Sequence, residues 1–81
     1  MDNQKAKEET ARKIIYLRKE RCWSQAQIAR KISIPRPRYA SYEERRAIIP
    51  HETIKRICAA YKITIDEFER MKIPAKPISI I

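Results

Sequence analysis

Residues 24–46 read SQAQIARKISIPRPRYASYEERR, and the punctuation of this stretch decides the fold. Ser24 followed three positions later by Gln27 is a capping box: the serine oxygen accepts from the Gln27 amide while the Gln27 side chain reaches back to the Ser24 amide. A helix therefore starts here, with Ile28, Ala29 and Ile32 on one face and Ala29 small enough for a close helix crossing. Ser33 and Ile34 make a turn, because Pro35 disfavours helical geometry at Ile34. A second helix begins near Arg36, and Pro37 is tolerated in its first turn, where amides lack intrahelical acceptors. Tyr39, Tyr42, Glu43 and Arg46, at i, i+3, i+4 and i+7, are the expected inward face. Pro37, Ser41 and Glu44 then point away, with Arg38 and Arg45 to the side.

Working outward, Ala11, Ile14, Ile15 and Leu17 recur at spacings of three and four among Glu, Lys and Arg, which predicts an amphipathic helix over about 7–21. Residues 1–6 are polar and expected to be disordered. Trp23 is expected in the core at the end of that helix. Beyond the central stretch, 47–49 reads as a loop and Pro50 opens a fourth helix, His51 to Tyr61, with Ile54, Ile57, Cys58 and Tyr61 inward. Thr64 and Glu67 repeat the capping-box spacing and start a short fifth helix ending near Met71 or Lys72, with Ile65, Phe68 and Met71 apolar. The expected fold is all-α, a compact bundle of five short helices in one domain over 7–72. An apolar tail, 73–81 (IPAKPISII), follows; its two prolines exclude a helix and its isoleucines suit a covering partner.

Composition narrows the function. A chain of 81 residues has room for one modest core and no deep catalytic cleft. Lys and Arg outnumber Asp and Glu by 19 to 10, for a net charge of +9, and this balance favours a polyanionic partner. Glycine is absent, which argues against tight hairpins and phosphate-cradling glycine loops. Cys22 and Cys58 form no CxxC pair and His51 is the sole histidine, so neither a disulfide framework nor a metal site is indicated, and no cofactor is expected. No apolar stretch suits a signal peptide or a membrane span, and a cytoplasmic location is expected. No nucleophile, base and orienting group can be assembled, so no catalytic residue and no small-molecule substrate is assigned. His51 reads as an exposed first-turn residue and Cys58 as a small buried hydrophobe.

Leu17 and Arg18, Ser24 and Gln25, Ile28 and Ala29, Tyr42 and Glu43, Pro50, and the closing Ile63, Thr64 and Asp66 together resemble the lambda-repressor-like helix-turn-helix family, of the Cro/CI or XRE type, across about Ile14 to Phe68. The resemblance implies that the second and third helices form a helix-turn-helix whose third helix lies in the major groove of double-stranded DNA. Arg36, Pro37, Arg38 and Ser41 then fall at base-contacting positions. Arg36 can donate two parallel hydrogen bonds to guanine, or grip a phosphate. Pro37 offers a packing contact with a thymine methyl, or serves only to start the helix. Ser41 either bonds a base edge or phosphate or remains solvated. Gln25, Lys31, Arg45 and Arg46 are the implied phosphate contacts, each with an ordinary solvated side chain as the alternative. Arg18 and Glu43 match an ion pair that ties the first helix to the reading helix.

The chain departs from the family at Ser33, Arg45 and Lys62, where glycine is common; positive φ is predicted at Ser33. Glu44 is an acid on the outward face and either accepts from cytosine N4 or tilts away from phosphate. The implied function is a sequence-specific transcriptional regulator, a repressor acting as a homodimer on a palindromic operator. The alternative is an antitoxin-type or other protein-interaction module that meets a protein partner through the C-terminal tail.

Overall fold

Five helices follow one another: α1 Asn3–Glu20, α2 Gln25–Lys31, α3 Arg36–Glu43, α4 His51–Tyr61 and α5 Ile65–Arg70. The computed structural model describes residues 3–73, with side chains from residue 6 onward, and contains no strand among them. Both capping boxes are complete. At α2, Ser24 Oγ accepts from the Gln27 amide at 3.1 Å and Gln27 Oε1 accepts from the Ser24 amide at 2.7 Å. At α5, Thr64 and Glu67 make the same exchange at 2.9 and 2.8 Å. Pro35 caps α3 in extended geometry, φ −63° and ψ 143°, and Pro37 sits in its first turn.

The ends of α1, α2, α3 and α4 share one device. Cys22, Ser33, Arg45 and Lys62 all have positive φ, of 58°, 62°, 64° and 59°. Each follows a helix, and the residue after each donates its amide to a carbonyl five positions back: Trp23 to Arg18, Ile34 to Ala29, Arg46 to Ser41 and Ile63 to Cys58, at 2.9–3.2 Å. This is the closure that usually employs glycine. With no glycine in the chain, each site bears a left-handed cost of roughly 1 kcal/mol, offset by carbonyls that would otherwise lack partners. The positive φ expected at Ser33 is present; Cys22, carrying no such expectation, shows the same geometry.

The core lies where α1, α2, α3 and α4 converge, with Ile14, Ile28, Ile32, Tyr39, Ile57 and Tyr61 its largest fully buried side chains. Phe68 of α5 and Cys58 of α4 belong to it, and Ile49, in the segment expected to be a plain loop, is also buried. Three expectations are corrected. The first helix, expected from about residue 7, already begins at Asn3 within the stretch 1–6 expected to be disordered, since Gln, Lys and Ala are good helix formers even without an apolar face; residues 1 and 2 lie outside the described residues. Trp23 is only half-buried: Tyr61 occupies the core place beneath it, and the indole stacks on that ring at 5.3 Å between centroids. Arg46 is not inward but exposed, because α3 stops at Glu43 and the left-handed Arg45 breaks the helical spacing that placed it. The tail from residue 74, with the partner contact expected of it, lies outside the described residues.

Candidate nucleic-acid interface

Glu43, at the last turn of α3, organises the site. Its side chain is 5% exposed, and Arg18 from α1 meets both oxygens, Nε to Oε2 at 2.7 Å and Nη2 to Oε1 at 3.0 Å. Tyr39, one turn earlier on α3, donates its hydroxyl to Oε2 at 2.7 Å, and Gln25 from α2 donates Nε2 to Oε1 at 2.9 Å. Each carboxylate oxygen thus accepts two hydrogen bonds, which fills the acceptor capacity of the group. Burial alone would raise the Glu43 carboxyl; the hydrogen bonds from Arg18, Tyr39 and Gln25 outweigh it and hold the group below the usual carboxylate range. Burial, followed by the bond to Glu43, pushes the Tyr39 hydroxyl upward. Arg18 also donates Nη1 to the Trp23 carbonyl at 3.0 Å, so one guanidinium fixes α3, α1 and the α1–α2 turn together.

The amino-acid sequence carries this clamp only in outline. The family resemblance implies the Arg18–Glu43 pair but not the convergence of Tyr39 and Gln25 on the same carboxylate. Tyr39 and Glu43 stand at i and i+4, a spacing that brings side chains together on a helix, and that is the available signal.

The opposite face of α3 is open. Arg36, Pro37 and Arg38 are exposed, while Ser41 is half-buried and donates its hydroxyl to the Arg38 carbonyl at 2.6 Å. Arg36 donates Nη1 to Oε1 of Gln25 at 3.1 Å. Gln25 therefore bridges Glu43 and Arg36 and keeps one amide hydrogen uncommitted. Lys31, at the end of α2, rests its ammonium 4.6 Å from the centre of the Trp23 ring. Arg45 is exposed beyond the end of α3, and Arg46 is paired with Glu44 at 2.6 Å, both side chains more than half exposed. Glu44 is thus turned toward its own neighbour. Between Ser24 and Arg46 the acidic side chains are Glu43 and Glu44 alone, among a majority of arginines and lysines. With Glu43 consumed by Arg18 and Glu44 by Arg46, the surface around α3 is basic.

A cavity of about 720 Å³ lies between α1 and α5, lined by Glu9, Arg12, Lys13 and Glu69–Ile73, and involves neither α2 nor α3. Among the described residues no cluster of His, Cys, Asp or Glu could hold a metal, and no helix is long and apolar enough to cross a membrane.

Two short helices joined by a tight turn, the second pinned from behind by a buried ion pair and bearing arginines on its free face, define a DNA-binding domain of the helix-turn-helix class. A family profile described as helix-turn-helix matches residues 14–68, more than half of the chain, and the protein belongs to that family, of the Cro/CI or XRE type. It is accordingly a DNA-binding regulator of this type. No curated protein and no solved structure matches the chain.

Proposed function

We propose that the protein is a sequence-specific transcriptional repressor in the cytoplasm that binds a palindromic operator as a homodimer, with α3 in the major groove. The observation that carries this reading is the contrast between the two faces of α3: Tyr39 and Glu43 locked into the interior, Arg36, Pro37, Arg38 and Ser41 on the open side. The open-side residues meet base edges, and Gln25, through its remaining amide hydrogen, joins Lys31, Arg45 and Arg46 in holding phosphates on either side. One short helix spans only a few base pairs, so useful specificity calls for two copies with their reading helices about 34 Å apart. Ile48, 55% exposed in the connection that follows α3, supplies an apolar side chain for the contact between copies.

The reading is tested by retaining a randomised duplex pool on the full chain at two salt concentrations and sequencing what is held. An enriched palindrome supports it; strongly salt-dependent retention without any enriched sequence counts against it.

A further inference from the structure

The Arg36–Gln25 contact fixes which edge of the Arg36 guanidinium is free. Nη1 is engaged by Oε1 of Gln25, and Gln25 has no freedom to turn its amide around, because its Nε2 is held by Oε1 of Glu43. If the amide flipped, an oxygen would face the Glu43 carboxylate and an NH2 group would face the guanidinium, so both contacts would become repulsive. Glu43 is itself fixed by Arg18 and Tyr39. The buried clamp therefore sets the Gln25 amide, and the Gln25 amide sets Arg36. What remains open on Arg36 is its Nε and Nη2 edge.

The protein already displays what that edge recognises. Arg18 uses its own Nε and Nη2 to grip the two oxygens of Glu43, a pair of adjacent acceptors. In the major groove guanine alone among the bases presents two adjacent acceptors, O6 and N7; adenine pairs its N7 with a donor, thymine offers one acceptor and cytosine a donor. The rest of the open face agrees. Arg38 is a pure donor, Pro37 is apolar, and the Ser41 hydrogen is spent on the Arg38 carbonyl, so no Asn or Gln stands on the open face of α3 to make the paired donor-acceptor contact that reads adenine.

Resting on the reading of α3 as a major-groove helix, we propose that each half-site carries a guanine opposite Arg36, and that Gln25 is the positioning residue that sets this preference by holding the Arg36 guanidinium. A phosphate also offers paired oxygens, and it is the competing occupant of the same edge.

The test uses the full chain and the duplex enriched from a random pool. Guanines in the half-site are replaced one at a time by 7-deazaguanine, which lacks the N7 acceptor, and by adenine. We expect one position at which either replacement weakens wild-type binding by roughly 5- to 150-fold, and at which Arg36→Ala, an exposed change, removes the difference. Gln25→Met keeps the length of the side chain and deletes both hydrogen bonds; it should lower the guanine preference at that same position at least several-fold, and have no further effect on the preference when added to Arg36→Ala. A Gln25→Met variant that weakens all duplexes alike, with the guanine preference intact, overturns the positioning role. An enriched operator with no guanine sensitive to Arg36 overturns the base assignment and leaves the regulator reading standing. The absence of any enriched sequence with the wild-type chain overturns both.

Discussion

Arg18 of α1 and Glu43 of α3 share two parallel hydrogen bonds, of 2.7 and 3.0 Å, behind the open face of the helix-turn-helix. Removing the carboxylate leaves Arg18, Tyr39 and Gln25 without their common acceptor in a largely water-excluded place. Glu43→Ala should therefore cost about 3 kcal/mol of folding stability, at the low end for breaking a buried pair because Arg18 keeps 15% of its side chain exposed. Replacing both partners by apolar residues, Arg18→Met with Glu43→Leu, should recover much of that stability while leaving α3 less well oriented. Urea unfolding of the single and double variants, with operator binding measured beside it, checks both parts.

The same carboxylate makes the fold acid-sensitive. Its pKa is lowered from the ordinary value of 4.5, so the unfolded chain binds this proton more readily than the folded one. The stabilisation is complete above about pH 4.5 and disappears as the pH falls through the lower folded value. Thermal unfolding of the wild type and of Glu43→Gln between pH 6 and 2 should show a shallower acid destabilisation in the variant. Parallel curves would assign the acid sensitivity to other groups.

Left-handed geometry at Ser33 and Lys62 reverses the usual effect of glycine. Ser33→Gly and Lys62→Gly should each stabilise by roughly 0.5–1 kcal/mol, the relieved backbone cost exceeding the entropy that glycine adds to the unfolded chain. Ala26→Gly, on an exposed position within α2, should destabilise by about as much. Denaturant midpoints of the three variants give the sign directly.

The side chains proposed to hold phosphates are separable from those proposed to read bases by their salt response. Lys31→Ala and Arg45→Ala should each weaken binding to every duplex similarly and reduce the slope of log affinity against log salt by about 0.9, the share of a single phosphate neutralised on B-form DNA. Arg46→Ala should give a smaller change, since its charge is already shared with Glu44 at 2.6 Å. Salt titrations with operator and scrambled duplexes measure both quantities.

The start signals of α2 and α5 are legible in the sequence because a capping box is written in two side chains three apart, and Ser24–Gln27 and Thr64–Glu67 form it fully. The family resemblance marks Ser33, Arg45 and Lys62 as glycine slots, and all three are left-handed. Spacing fails where the backbone leaves the helix. Arg46 lies on the inward stripe of a longer helix, but α3 is only eight residues long and its cap turns Arg46 to solvent. Its position at the end of α1 suggests Trp23 as core, yet Tyr61, from the far end of α4, holds that place. The junction at Glu43 joins α1, α2 and α3, and long-range convergence of that kind leaves no periodic trace in a single sequence.

The most direct test of a major-groove reading helix is chemical protection of guanine N7 along the enriched duplex by dimethyl sulfate footprinting. Two copies reading through α3 should protect guanines in two major-groove patches one helical turn, about 10 base pairs, apart, and Arg36→Ala should expose one guanine in each. Full N7 reactivity in the bound duplex, with protection confined to the minor groove or absent, would contradict it.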